Sequence, residues 1–506
     1  MKSTIIEFDY DSRRWVIIDT TNPKTKGISY SLFQTLALGN YEWNIENDNG
    51  CQEGKVAMSL SLTACKTHEY TCNDGLCLPL DKRCDGISNC KDSSDELQCS
   101  IVVKDNSYNK FLSPPPDNSE KVVVNVSITV FALSNFDPIT ASFEADLTVS
   151  LTWFDMRLTF GNLRNSSSNN ALSPSEKQNI WFPVSIFENT KDKLEVLVDE
   201  KAMLIVRRKG KGRKTDSTST ENKLLYRGLE NPITYRRFYN EIFKCDYNIQ
   251  WYPFDTQRCT INLVPSSSLV NFIVLEPDKF AYKGPLMLKT YEVISIRMIK
   301  GKTSLGEKVL EVEILIGRRL LSIILIAIIP TVLLNIIGHM SNFFKKFFFE
   351  AIISLNVTVM LVLTTMFISI SNNLPKTAYI KMIDVWLIFN LMKPFVDILV
   401  QTYIETLRTD EDEREINHHG KTIKIGENNE GGIVQVATEG DINKLRSINE
   451  KIQQDSLRKY YAKLKSNEEK IKSYQHFVRV TYPTFCVCFV ILFWLIGLYK
   501  TVNSDL

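Results

Sequence analysis

Ser354, Thr358, Leu361, Thr365, Ile368 and Asn372 recur at intervals of 4, 3, 4, 3 and 4 along an otherwise apolar run. That spacing puts all six on one stripe of a 3.6-residue helix. Oxygens on such a stripe can replace part of an ion's hydration, and a leucine among them can keep a narrow gap dry when copies gather about an axis. The stripe is the more polar face of its helix, which fits poorly with packing against other apolar helices. Cysteines carry a second chemistry. Six of the eleven lie between Cys65 and Cys99, a density that reads as a disulfide framework made in an oxidising compartment. Cys245 and Cys259 stand apart, Cys486 and Cys488 lie in an apolar run, and Cys51 is left over. The five histidines are scattered and meet no nucleophile–base constellation, so enzyme chemistry has no support.

Elements must hold these residues in place. A chain of 506 residues is too long for one compact domain, and about two to four are expected. Sixty basic against 58 acidic residues leave a net charge of +2, so no global field points to nucleic acid. Up to about residue 317 the chain is polar and alternating; beyond it, runs of membrane length appear. Residues 320–340, 352–370, 382–403 and 481–499 are each long enough to cross roughly 30 Å of hydrocarbon. The third of these runs is interrupted by Asp384, Lys393 and Asp397. With the disulfide-rich head outside, four crossings return the tail to the outside and place Lys345 and Lys346 inside, as the positive-inside tendency prefers. Lys376 and Lys381 fall in an outside loop, so the cysteines rather than charge settle the orientation. The inside stretch opens on an acidic run at 410–415, loses periodicity over 426–440, and ends in a charged helical segment at 442–472. It reads as a linker plus a solvated helix, or as a partner-docking site.

Ahead of the membrane runs, Val122, Val124, Val126, Ile128 and Val130 alternate with polar neighbours. Phe143, Ala145, Leu147, Val149, Leu151 and Trp153 repeat the pattern. These are half-buried antiparallel strands, and further strands up to Ile316 predict an all-β sandwich. Met1 to Thr20 has no signal-peptide core, since Lys2, Glu7, Asp9, Asp11, Arg13 and Arg14 interrupt it. Further chain is therefore expected ahead of it.

Two resemblances follow from quoted residues. Residues 65–99, with six cysteines and Ser94-Asp95-Glu96 ahead of the last, resemble a low-density-lipoprotein receptor class A repeat. The resemblance implies bridges Cys65–Cys77, Cys72–Cys90 and Cys84–Cys99. It also implies calcium ligands at the side chains of Asp85, Asn89, Asp95 and Glu96 and the carbonyls of Lys82 and Ile87. Asn89 stands where the family has Asp, removing one charge from the site. About 35 residues cannot bury a sufficient core, so bridges and a metal substitute for one; a disulfide knot with no metal stays an alternative. Residues 1–64, with Gly39 to Trp43 and Asp48 to Cys51, resemble the tail of a lectin-like β-sandwich and read as a fragment.

Cys245-x13-Cys259 encloses Trp251-Tyr252-Pro253-Phe254-Asp255. With Trp153-x-Asp155-x-Arg157-Leu158, Ile180-Trp181-x-Pro183, Arg318-Arg319, Pro330 and the four spans, this resembles the Cys-loop receptors over about 120–506. The architecture implied is multidomain: a small disulfide-rich calcium module (65–99), a linker (100–119) and an all-β extracellular sandwich (120–317). A four-helix transmembrane bundle (318–403 and 479–500), a cytoplasmic loop and helix (404–478) and an outside tail (501–506) complete it. The resemblance further implies a multi-pass plasma-membrane protein, four further subunits in a homo- or heteropentamer, a small extracellular agonist, and a Cys245–Cys259 loop resting on the membrane domain. That loop could equally be a hairpin staple with no signalling role.

Family agonist sites lie between subunits, and the matching positions here are Thr148, Glu188 and Ser266. They lack the aromatics of a cation–π cage, Val184 replaces the usual Asp, and the capping loop at 300–308 has no aromatic. The basic stretch 207–214 could attract anions or be a solvated hairpin. Matching the pore motif puts Leu361 on the gate position, with Ser354, Thr358, Thr365, Ile368 and Asn372 lining the pore. Glu350 lies at its cytoplasmic mouth. Phe349-Glu350-Ala351 stands where anion-selective relatives carry Pro-Ala, whereas Leu374-Pro375-Lys376-x-x-Tyr379 and Trp386 resemble the anion branch. Glu350 belongs to the filter and favours cations, with an anion-selective channel as the alternative. A non-conducting, calcium-dependent adhesion or endocytic receptor is the reading from another class. Sequons occur at Asn125 and Asn165; Asn356-Val357-Thr358 lies inside the pore helix and is set aside.

Overall fold

The computed structural model describes residues 4–29, 37–47, 54–66, 68–116, 120–191, 194–214, 223–302, 308–344, 348–424 and 439–503. Cys51, Lys345, Lys346 and most of the 300–308 loop and the 426–440 stretch lie outside these. So do the side chains of 410–415.

The head is built as its alternation requires. Ser142–Trp153 buries every second residue, and Phe143 to Trp153 on its inward face are 0–1% exposed. Each such side chain contributes about 1.5–3 kcal/mol by leaving water. This strand sits between Val122–Asp137 and Ile233–Lys244, and Met203–Val206 and Ile273–Tyr282 close the edges of a five-stranded sheet. A second five-stranded sheet runs Glu195–Val196, Ser185–Phe187, Thr256–Pro265, Lys308–Arg318, Tyr291–Lys302. Both sheets pack their inner faces into one core, with Trp153, Phe187, Phe243, Ile261 and Val312 in it. That makes the expected sandwich.

The described residues between 4 and 62 form one antiparallel five-stranded meander in chain order. Trp43 is fully buried in it. Gly39, at φ +123°, brings this sheet onto the disulfide-rich module, where a Cβ would fall 2.0 Å from the Asn73 carbonyl oxygen. The module is fastened to the head in turn. Val102–Lys104 pairs with Leu158–Gly161, so the segment expected as a linker begins as sheet. Glu176 caps its own short helix, Pro174–Gln178, through Ser173, and also accepts from the Ile101 and Val102 amides at 2.6 and 2.9 Å. Burial works against its charge, but these donors outweigh it and hold the carboxyl below its usual range.

Beyond Arg318 the described residues are mostly helical. Among the described residues three helices are long and apolar enough to cross a membrane: Leu321–Ser341, Phe349–Asn372 and Tyr461–Thr501. The expected 382–403 span is helical but is not one of these three. It opens the longer helix Met382–Lys424, where Lys393 and Asp397 meet at 2.8 Å, both buried. The helix runs through the polar residues beyond 403 because propagation adds one hydrogen bond per residue once a helix is nucleated. The Trp386 indole donates to Thr331 at 3.1 Å, and its ring lies against Phe493, joining the first, third and last of the bundle's helices. Single π-helical turns at Ile324–Ile328 and Phe477–Thr481 each stand just before a proline-bearing helical stretch. Proline removes an amide donor there, and a wider turn re-satisfies the ladder.

Candidate functional site

At the lower end of the head, a disulfide joins Cys245 to Cys259. The loop it closes carries Ile249 and Phe254 into an apolar cluster with Leu374, just past the end of the second apolar helix, and with Ile383, Trp386 and Phe493 of the later helices. Phe254 is 2% exposed, and its ring meets Phe493 and Trp494 edge-on at 5.8 and 5.4 Å. The backbone locks the same contact, with the Met382 amide donating to the Gln250 carbonyl at 2.9 Å. The Tyr379 hydroxyl accepts from the Ile249 amide at 3.3 Å.

The next residue holds the charge. Asp255 accepts from Arg318 Nε at 2.6 Å and Nη2 at 2.9 Å, and from Gln257 at 2.6 Å. Arg318 lies between the rings of Tyr252 and Tyr291, 4.6 Å from each centroid, and donates to the Tyr291 hydroxyl at 2.5 Å. Burial opposes the guanidinium charge, but the bonds to Asp255 and the attraction that goes with them raise its pKa further. Burial likewise pushes the Tyr291 phenol up to about 12. A charged pair this enclosed is viable because bonds of good geometry satisfy both partners. Arg318 ends the last head strand, three residues before the first membrane helix, so the pair ties the disulfide loop to the start of the bundle.

Sequence reading named Phe254, Asp255 and Arg318 but missed Gly497, on which the Phe254 ring sits. A Cβ on Gly497 would fall 2.4 Å from Phe254 Cε2. The two positions lie far apart in the chain, and no local signal links them. Gly497→Ala should therefore cost about 1–3 kcal/mol through overpacking. A thermal melt of the detergent-solubilised chain would read it, and an unchanged midpoint would show that the ring is free to retreat.

On Phe349–Asn372, the residues Glu350, Ser354, Thr358, Leu361, Thr365, Ile368 and Asn372 are all exposed on the single chain. Leu361 is 63% exposed. The opposite face, Ile352, Asn356, Val359 and Leu363, is the buried one. Asn356 donates to Ser341 and the Ile352 carbonyl. The candidate agonist positions fall in two places. Glu188 and Ser266 lie just past the paired strands Ser185–Phe187 and Thr256–Pro265 of the second sheet, their amides donating to the Asn262 and Val184 carbonyls. Thr148 is in the other sheet, opposite Phe238 and Thr129. Asn165 is exposed and Asn125 is half-buried in a strand.

In the disulfide-rich module the bridges are Cys65–Cys77, Cys72–Cys90 and Cys84–Cys99. They gather the acidic residues into one knot. Asp95 is fully buried; its Oδ2 accepts from the Asn89 amide at 2.6 Å, while its Oδ1 is buried without a hydrogen-bond partner. Glu96 accepts from the Gly86 amide, and Asp85 accepts from the Ile87 amide. Asn89 Nδ2 bridges Asp85 and the Ile87 carbonyl, standing where a cation would attract both oxygens. An oxygen-rich cluster with one orphaned buried carboxylate oxygen fits a hard cation. Cys65, Glu69 and Cys77 also lie close together, but their sulfurs are bonded to each other and offer no thiolate. Arg164 of the head, which sequence reading missed, donates to the Cys84 carbonyl and holds this end of the module.

Comparison with known proteins agrees with this geometry. Residues 98–222 match the neurotransmitter-gated ion-channel ligand binding domain. Residues 63–99 match the low-density lipoprotein receptor domain class A. Among its relatives are a glutamate-gated chloride channel subunit beta of Haemonchus contortus and a serotonin-gated chloride channel of Caenorhabditis elegans. The first is 25% identical over 55% of this chain and 63% of its own length. The second is 25% identical over 56% and 54%. A ligand-gated ion channel of the same nematode is 26% identical over 61% of this chain and 59% of its own length. The chain thus spans just over half to under two thirds of these relatives, which are channels and not enzymes. On these matches, the chain is similar to the Cys-loop ligand-gated ion channels over rather more than half its length, and a stretch that matches a class A module stands ahead of the match to their ligand-binding domain.

Proposed function

We propose that this chain is one subunit of a pentameric channel of the plasma membrane, opened by a small extracellular agonist. The observation that carries the reading is the exposed stripe from Glu350 to Asn372 on a helix whose other face is buried. Four further copies around an axis would cover that stripe and turn it into rings. Thr148 on one subunit and Glu188 with Ser266 on the next would then border the agonist site, since one chain keeps them on different sheets. Agonist-evoked current from the expressed chain, or its absence with the protein at the cell surface, tests this.

For selectivity the reading is cation, carried by Glu350. Five carboxylates at one narrow mouth act within roughly 8 Å of one another at physiological salt, so their fields add. The second reading is chloride, favoured by relatives that are themselves chloride channels. Glu350→Ala should shift the reversal potential away from the sodium value. A reversal potential that follows chloride in the unmutated channel decides for the second reading.

Asp85, Asn89, Asp95 and Glu96, with the Lys82 and Ile87 carbonyls, would hold calcium in the module. The ion would supply positive charge to the buried Asp95 and its half-buried neighbours Asp85 and Glu96. Asn89 would turn its amide over to ligate, and its neutrality makes the site weaker than one with four carboxylates. Asp95→Ala should abolish calcium protection of the module against reductant. Equal protection of the full chain with and without calcium would remove calcium from the account.

A further inference from the structure

Residues 207–230 carry eight basic and three acidic residues, in a chain whose whole surplus is +2. We propose that this stretch of the head is a docking surface for a sulfated glycosaminoglycan. Arg207, Arg208, Lys209, Lys211, Arg213 and Lys214 are all exposed, and so is Arg227 on the neighbouring strand. Among the described residues none of these seven is ion-paired with a carboxylate. Glu230, also exposed, is the acid that the fold lays against them: a Cβ on Gly210 would fall 2.2 Å from its Oε2. A strong positive surplus is left facing solvent.

The cations sit on a fixed backbone. The buried Asn231 accepts from the Lys209 and Gly210 amides at 2.8 and 3.0 Å and donates to the Arg227 carbonyl at 2.8 Å. The Arg207 amide donates to the Pro232 carbonyl at 2.9 Å. Arg208 lies over the Tyr226 ring, 5.0 Å from its centroid, and donates to the Leu163 carbonyl at 3.2 Å. Arg213 and Lys214 then pair with Leu225 and Leu224 of the strand Leu224–Arg227. Gly212 sits on the buried Tyr226, where a Cβ would fall 2.9 Å from the ring, so alternation turns Lys211 and Arg213 to the other face. Arg227 shares that face, being two residues beyond Leu225, the partner of Arg213. Three cations thus stand on one pleated face, with Lys211 and Arg213 about 7 Å apart along the chain. A patch already ordered loses little freedom on binding.

A row of cations suits a linear polyanion, which meets all of them at once, whereas a small anion meets one or two. Guanidinium and ammonium groups bond well to sulfate and carboxylate oxygens, and runs this rich in Lys and Arg suit polyanions of the heparin kind. Nucleic acid is disfavoured, because four disulfides place the head in an oxidising compartment. Lipid headgroups fit less well too. The head meets the membrane helices through Ile249 and Phe254, whereas Leu224 of the basic sheet packs on the disulfide-rich module beside Tyr70 and Leu80. Binding of this kind does not depend on conduction, so it would survive failure of the channel reading.

The test is binding of the solubilised full chain to immobilised heparin, with salt and competitors varied. The unmutated chain should bind at physiological salt and elute as added salt screens the contact. Lys211→Gln with Arg213→Gln and Arg227→Gln removes three cations. At about fivefold for each cation near an anionic surface, the triple change should weaken binding more than tenfold. Lys244→Gln with Lys279→Gln and Lys289→Gln takes the same charge from exposed positions elsewhere in the head and should leave binding unchanged. Desulfated heparin of the same length should not compete. Failure of the unmutated chain to bind heparin overturns the proposal without recourse to any variant, as does equal competition by the desulfated polysaccharide. An equal loss in the second triple variant also overturns it, because net charge rather than this patch would then decide. Tighter binding of single-stranded DNA of matched charge would assign the patch to nucleic acid instead.

Discussion

Arg318→Ala is expected to destabilise the chain by about 3–5 kcal/mol, because it strands Asp255 as a buried, uncompensated charge. Asp255 is 1% exposed and Arg318 9%, so water cannot take the place of the missing partner. Asp255→Ala should cost a similar amount for the mirror reason. The double variant Asp255→Leu with Arg318→Met should cost less than either single change, since an apolar pair of similar volume leaves no charge behind. Chemical denaturation of the solubilised chain gives the three values. Additive losses would mean that the pair is not a unit. The function of the double variant is the sharper readout. It should fold and reach the surface yet respond poorly to agonist, because the strand ending at Arg318 is no longer tied to the loop that presses Phe254 onto the last helix.

Leu361→Ser should shift agonist responses to lower concentration by more than tenfold, or open the channel without agonist. Leucine packed in a narrow ring keeps the gap free of water, and each buried side chain of that size is worth about 1.5–3 kcal/mol against exposure. In the proposed pentamer five subunits change together, so even a fraction of that energy per subunit exceeds the 1.4 kcal/mol that makes a factor of ten. Concentration–response curves and standing conductance of the two channels check it. If neither moves, Leu361 does not line the gate.

The head was legible because alternation is a local signal. Val122 to Val130 and Phe143 to Trp153 announce their buried face residue by residue, and the structure buries them. The class A module was legible from cysteine spacing, which a fold without a large core must keep. What stayed hidden depends on contacts between distant segments. Gly497 is an ordinary glycine in an apolar helix until Phe254 is laid across it. Arg164 is an ordinary surface arginine until the Cys84 carbonyl meets it. Helix extent was hidden for another reason. The continuation of Met382–Lys424 past residue 403 has no apolar stripe to reveal it, and hydropathy reports burial rather than backbone propagation. The exposed stripe on Phe349–Asn372 lies between these cases, since its period is local but its partners are other copies.

Glu176 removes the slack between the module and the head. Twenty free residues would let the module wander over roughly 25 Å, whereas the Glu176 carboxylate and the strand at Val102–Lys104 grip the tether within a few residues of Cys99. In the proposed pentamer the five modules would stand as a crown with set spacing. A ligand bearing repeated epitopes at that pitch would then bind its second module as an intramolecular event, gaining avidity of roughly 10²–10⁴ over a single contact. A ligand with one epitope would gain nothing, and the crown would sort its visitors by valency before affinity.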